Sequence, residues 1–246
     1  LDNEVINKRD YYKKQRKAFL NEARILSSLF DIKEVVKVLD YFEERENAYI
    51  VMEFVQGISL RQYLESRNQP MSFTEAWNFL LPVMEALEKV HQNKLIHRDI
   101  SPDNFIIKED GSIKLLDFGS AREYAEEKTM TVLVKKGYAP PEQYSRKGKQ
   151  GPWTDIYSIC ATLYEMITGV IPQPAMERLK ADKLYLPSSY GCDITPLQEK
   201  ILMKGLALDY KKRYKDIAEL KNSFFPEKQE RQKKNKKYGI LICTVC

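Results

Sequence analysis

The sequence predicts an α+β fold in two unequal parts: a short first part with one helix and two strands, and a longer, mostly helical second part. Three observations carry this reading. The chain has 246 residues, 43% of them hydrophobic, which is enough to bury a full core in one large domain or two unequal lobes. Two β-rich runs, Val35 to Phe42 and Ala48 to Phe54, flank the charged turn Glu43 to Asn47 and read as an antiparallel pair. Beyond Gly57 the apolar residues recur mostly at helical spacing.

The elements follow in chain order. From Asp10 to Phe30, apolar residues at Tyr12, Phe19, Ala23, Leu26 and Leu29 or Phe30 line one face, opposite a strongly basic one, so the segment is an amphipathic helix. After the strand pair, helices are expected at Leu60 to Arg67, Phe73 to Gln92, Trp153 to Thr168, Ile194 to Leu208 and Tyr214 to Asn222, with Pro and Gly at their ends. Ser72-Phe73-Thr74-Glu75 puts capping-type residues at the start of the second of these. Between the long helices, Phe105-Ile106-Ile107 reads as a buried strand, Asp110-Gly111 as a hairpin turn and Ile113 to Leu116 as the returning strand. No internal repeat or low-complexity insert precedes the tail.

The net charge of +5 comes from two clusters, Lys8 to Lys17 and Lys228 to Lys237, with a nearly balanced middle; this argues against a nucleic-acid partner. Four cysteines are too few and scattered for a disulfide scaffold, and a reducing compartment fits them. Cys243 and Cys246 have redox-motif spacing without the surrounding strand and helix that such a site requires. The basic run leads instead into Tyr238-Gly239-Ile240-Leu241-Ile242-Cys243, the pattern of a membrane span entered from its cytoplasmic edge. The nine residues from Tyr238 to Cys246 are fewer than the roughly twenty a helix needs to cross; the alternative is a solvated tail.

The chemistry concentrates in His97-Arg98-Asp99-Ile100-Ser101-Pro102-Asp103-Asn104 and in Asp117-Phe118-Gly119. Asp99 is a carboxylate able to orient and deprotonate a hydroxyl, and Asn104 and Asp117 offer the hard oxygens that magnesium prefers. The turn and two short strands between them would carry all three to one place, as phosphoryl transfer from a magnesium nucleotide needs. In this pattern the chain resembles the eukaryotic-type (Hanks-type) Ser/Thr protein kinase family, of the bacterial, membrane-anchored kind, over roughly Asp10 to Phe225.

That resemblance implies a bilobal kinase fold: a partial N-lobe at 1–55, a C-lobe at 56–226, and a basic juxtamembrane segment with the start of a membrane helix at 227–246. It implies ATP and Mg2+ as cofactors, transfer of the terminal phosphoryl group to a Ser/Thr hydroxyl of a protein substrate, and a place on the cytoplasmic face of the membrane. Asp99 would be the base, with Arg98 beside it, and Asn104 and Asp117 the metal ligands. Glu22, in the regulatory helix of the small lobe, would pair with a phosphate-clamping lysine. Met52, Glu53 and Val55 would border the adenine, with Ile106 and Leu116 completing the nucleotide contacts. Glu142, in Gly137-Tyr138-Ala139-Pro140-Pro141-Glu142, is expected to pair with Arg213, and Asp155 to receive backbone donors from the catalytic loop. Thr129 and Thr131 are candidate phosphosites that Arg98 could hold, or unmodified loop residues.

Two departures stand out. Ser101 replaces the family's lysine two positions after the base, while Lys135 stands where a threonine is usual. The two roles are expected to be exchanged, Lys135 reaching the phosphate and Ser101 contacting Asp99; a solvent-facing Lys135 is the alternative. Neither a glycine-rich loop nor the strand carrying the clamping lysine precedes the first helix, so truncation at both ends is expected, and with it weak nucleotide binding or none, and an inactive fragment as one outcome. The competing functions are a pseudokinase scaffold and a small-molecule phosphotransferase; the latter would not be expected to show the Glu142 and Arg213 partnership.

Overall fold

The computed structural model describes residues 2–116, 122–123, 134–145 and 148–224, excepting the side chains of residues 2–11, 15, 18, 22, 122 and 123. Asp117, Thr129, Thr131, the Glu22 side chain and the tail with Cys243 and Cys246 lie outside the described residues. Helix α1, Asp2–Ser27, begins eight residues before the expected start at Asp10; nothing in Asp2 to Arg9 breaks a helix. Strands β1 (Val38–Glu44) and β2 (Asn47–Met52) pair antiparallel with Glu44 opposite Asn47. The charged turn is thereby tightened to Arg45 and Glu46, both at positive φ (47° and 68°), as a two-residue hairpin with the right-handed strand twist requires.

β1 starts at Val38 rather than Val35 because the preceding residues are committed elsewhere. Val36 donates to Leu115 O (3.1 Å), Leu115 donates to Glu34 O (2.7 Å), and Val35 forms a parallel bridge with Leu115. The segment is thus stitched along a second, three-stranded sheet made of β3 (Ile58–Ser59), β5 (Phe105–Ile107) and β6 (Ile113–Leu115), ordered β3-β5-β6. Where the chain crosses between sheets, Gly57 runs so close to β5 that an added Cβ would lie 2.2 Å from Ile107 O; only glycine fits there. β4 (Leu95–Ile96) pairs with β7 (Arg122–Glu123).

Helix α2 (Leu60–Ser66) begins in a Ser59 and Gln62 capping box, and α3 (Phe73–Gln92) at the Ser72 cap, whose hydroxyl accepts from Glu75 N (3.2 Å). α4 (Pro152–Thr168) is buried on every side from Thr154 to Thr168 and forms the central pillar, as a helix without a polar face must. α5 (Ala175–Arg178), α6 (Pro196–Gly205) and α7 (Ile217–Phe224) complete the helical part. α6 starts two residues later than Ile194 because Thr195 caps it and Pro196 takes its first position. Tyr214 stays outside α7: its buried hydroxyl donates to Ile201 O (3.2 Å), and Asp216 caps the helix by accepting from Glu219 N (2.8 Å).

The core joins α3 and α4 through Leu80, Met84, Leu87, Tyr157 and Tyr164. Phe73 and Trp77 meet Phe224 of α7 at 5.4 and 4.4 Å between ring centroids. Burial pushes the Cys160 thiol up to about 12, so it is an inert packing group. Among the described residues no helix is long and apolar enough to cross a membrane.

Candidate active site

The segment His97 to Asn104 leaves β4, makes a 3₁₀ turn at Pro102–Asn104 and enters β5. Its shape is imposed from below by Asp155, in the first turn of α4. The fully buried Asp155 carboxylate accepts from His97 N (2.8 Å), Arg98 N (2.9 Å) and His91 Nε2 (2.8 Å). Burial raises its pKa, but the bond and charge of His91, with His97 and the Arg98 amide, outweigh this and hold it below the ordinary carboxylate value. Arg98 sits at φ 70°, a strained conformation for a non-glycine residue. It is held there by its own amide on Asp155 and by Gln143 Nε2 donating to its carbonyl (2.7 Å).

His97 ties this loop to the end of β6. Its Nδ1 accepts from Asp99 N (3.2 Å), which leaves Nε2 to donate to Leu116 O (2.9 Å). Leu116 N in turn donates to Asn104 O (2.7 Å). The residue preceding Asp117 is therefore fastened to both ends of the catalytic loop.

Asn104 Nδ2 donates to the Asp99 carbonyl (2.6 Å) and to Asp99 Oδ2 (2.9 Å), fixing the carboxylate that would receive a proton. With its nitrogen so committed, Asn104 presents its amide oxygen as the remaining group, a hard ligand suited to magnesium. Among the described residues no cluster of His, Cys, Asp and Glu suits a metal; Asn104 is the one expected ligand within them. Lys135 Nζ donates to Ser101 Oγ (2.9 Å) and lies 3.8 Å from Asp99 Oδ2 and 3.7 Å from Asp103 Oδ2. The Ser101 hydroxyl accepts from Lys135 and points its single proton at Asp103 Oδ2 (3.5 Å) instead of making the expected Asp99 contact.

Three residues from Lys135, the buried Tyr138 hydroxyl lies between Glu165 and Arg61. It donates to Glu165 and accepts from Arg61 Nη2 (2.6 Å), while Arg61 also pairs with Glu165. Burial and the Glu165 carboxylate drive the phenol pKa well above its usual value, so it remains a donor. Arg61 Nε lies 3.6 Å from Asp103 Oδ1, joining α2, α4, the catalytic loop and the Lys135 turn.

At the expected adenine edge, Glu53 N donates to Lys37 O (2.9 Å), its carboxylate accepts from Lys37 N (2.8 Å) and pairs with Lys114 of β6. Partial burial raises the Glu53 pKa, but Lys114 and the Lys37 amide more than reverse this and lower it. Val55, Leu116 and Ile107 pack against the core, Ile106 is half-buried, and Met52 is exposed. The structure thus gathers Arg98, Asp99, Ser101, Asn104 and Lys135 at the loop, and places Met52 and Ile106 in β2 and β5, with Glu53, Val55 and Leu116 just beyond the strand ends.

Below the loop, Arg213 forms a two-pronged pair with Glu142 (Nη1 2.6 Å, Nη2 3.1 Å) inside the fold. Sequence reading passed over His91, Arg61, Glu165 and Lys114. His91 and Asp155 lie 64 positions apart and Arg61 and Glu165 lie 104 apart, and no local spacing encodes such partnerships.

A family model described as "Protein kinase domain" matches residues 4–219. The serine/threonine-protein kinase PrkC of Bacillus subtilis is 34% identical over 222 residues, 84% of this chain and 33% of that protein. The probable serine/threonine-protein kinase PknB of Lactococcus lactis is 32% identical over 195 residues, 76% of this chain and 31% of its own length. The chain therefore spans about a third of the length of these curated relatives. A solved structure, "PpkA-294 apo form", superposes with a TM-score of 0.70 at 30% identity, covering 86% of this chain and 75% of that one. With a small sheet-bearing part over a helical one and this loop at their junction, the chain belongs to the protein kinase family.

Proposed function

We propose that this chain transfers the terminal phosphoryl group of ATP to serine or threonine hydroxyls of a protein, with Asp99 as base. The observation that carries this reading is the pair of hydrogen bonds that Asn104 Nδ2 donates to the Asp99 carbonyl and carboxylate. One side chain thereby orients the proton acceptor while its own amide oxygen stays uncommitted to those bonds. Magnesium, when bound, neutralises phosphate charge; the Asn104 oxygen and the Asp117 carboxylate are the groups that would hold it. Asp99 then accepts the hydroxyl proton as the substrate oxygen approaches, and the His97 and Asp155 bonds keep the loop from relaxing. Met52, Glu53 and Val55, with Ile106 and Leu116, are assigned to the adenine side, and Glu22 to the phosphate-clamping pair. The names of PrkC and PknB as serine/threonine-protein kinases support the choice of acceptor. Calorimetric titration with ATP at increasing magnesium tests the metal assignment: Asn104→Ala weakens magnesium-dependent binding about tenfold and leaves metal-free binding unchanged. Equal loss in both conditions refutes it.

The basic run Lys228 to Lys237 followed by the apolar Ile240 to Cys243 supports a membrane anchor at the cytoplasmic face. Expressed with its native flanking sequence, the protein is expected in the carbonate-resistant membrane fraction; full recovery in the supernatant contradicts the anchor.

A further inference from the structure

Resting on that kinase reading, one side chain carries the chemistry further. Lys135 is the cation that the described residues bring within 4 Å of the Asp99 carboxylate. It is held by one short bond, to the fully buried Ser101 hydroxyl (2.9 Å), and by two long approaches to Asp99 and Asp103 (3.8 and 3.7 Å). An ammonium has three donors, so this arrangement fixes its position and leaves it the capacity for a further oxygen. Its side chain is 34% exposed.

The backbone beneath Lys135 is unusually well anchored for a lysine-bearing turn. Tyr138 N and Ala139 N both donate to Lys135 O (3.1 and 3.0 Å). Ser158 of α4 donates to Tyr138 O (2.9 Å), and the Tyr138 hydroxyl is locked between Arg61 and Glu165. A long lysine stem normally roams; here its root is tied to α2 and α4, and its tip to the catalytic loop.

We infer that Lys135 is a catalytic residue whose ammonium contacts the transferring phosphoryl group, and that Arg61, through Tyr138 and Glu165, is the positioning residue that sets it there. In the step, the substrate oxygen bonds to the terminal phosphorus as its proton passes to Asp99. The bond from that phosphorus to the bridging oxygen breaks, and its electron pair leaves with the nucleoside diphosphate. Lys135 keeps its protons throughout and supplies positive charge to the oxygens on which negative charge is spread. Because the cation belongs to the turn at 134–139 and not to the loop that carries the base, charge stabilisation is available only when that turn is seated.

Steady-state transfer from γ-labelled ATP to dephosphorylated casein by the protein expressed with its native flanking sequence tests this. Lys135→Ala is expected to lower kcat about 100-fold, with KM for ATP within about threefold of the parent and an unchanged melting temperature. The exchanged pair Ser101→Lys with Lys135→Thr should recover at least about tenfold over Lys135→Thr alone, since it returns a cation to the same point. Arg61→Met should reduce kcat about tenfold at constant KM for ATP, and Arg61→Lys should retain more of it. A Lys135→Ala protein whose kcat stays within threefold of the parent overturns this inference alone. Absence of transfer by the protein expressed with its native flanking sequence overturns the kinase reading, and the inference with it.

Discussion

Arg213→Ala removes a side chain that uses every donor it has. Nη1 and Nη2 bond Glu142 (2.6 and 3.1 Å), Nε bonds Ala207 O (2.6 Å), and the remaining N–H groups bond Trp153 O and Leu208 O (both 3.1 Å). The guanidinium also lies over the Tyr157 ring at 4.9 Å. Its side chain is 0% exposed and that of Glu142 6%, so truncation strands a buried carboxylate with Thr154 Oγ1 (3.1 Å) as its surviving donor. Removing one partner of such a pair costs about 3 to 5 kcal/mol. For a domain of this size each kcal/mol corresponds to roughly 2 to 4 °C, so the melting temperature should fall by about 10 °C. Arg213→Lys keeps the charge but loses the fork, and should fall in between. Urea unfolding followed by fluorescence, with thermal melting alongside, gives both numbers. If Arg213→Ala costs under about 1 kcal/mol, the pair contributes no more than a surface bridge and the reasoning from burial fails.

Two further predictions follow from the site's supports. Asp155 has its folded pKa below the ordinary value of 3.8, so the stability it contributes is present above that value and lost as pH falls through the folded pKa. Asp155→Asn should therefore be less stable than the parent at pH 7, with a shallower loss between about pH 5 and 2; parallel acid unfolding curves would contradict this. Gly57→Val places a Cβ where Ile107 O leaves 2.2 Å, forcing the crossing strand away from β5. The KM for ATP should rise about tenfold or more while the helical part keeps its melting temperature, and an unchanged KM would remove this strand from the nucleotide site.

Much of the architecture could be read locally because its signals are local. Ser72 announces α3 and its hydroxyl caps it; Asp110 and Gly111 turn the β5-β6 hairpin with Asp110 accepting from Ser112 N (2.9 Å). Boundaries slipped where long-range bonds outbid local pattern: Val35 and Val36 have strand chemistry but pair with Leu115, and Tyr214 has helical periodicity but is drawn to Ile201. In the site, the offset from Asp99 to Asn104 closes within one turn and was visible as spacing. The same holds for motif order, which foreshadowed the Glu142 and Arg213 pair across 71 positions. The Arg61, Tyr138 and Glu165 cluster and the Glu53 to Lys114 pair were not visible, because charged residues on helices and strands read as ordinary solvated surface until the fold brings them together. The Lys135 contact was suggested by a missing lysine at Ser101, a chemical imbalance and not a pattern.

The most direct measurement is incorporation of γ-labelled phosphate from magnesium ATP into an acceptor protein, with phosphoamino acid analysis of the product, by the parent chain and by Asp99→Asn. The proposed function predicts phosphoserine or phosphothreonine from the parent, and the loop geometry a fall of about 100-fold or more in rate for Asp99→Asn, with nucleotide affinity retained. Equal incorporation by the two proteins would contradict Asp99 as the proton acceptor on which this reading of the site depends.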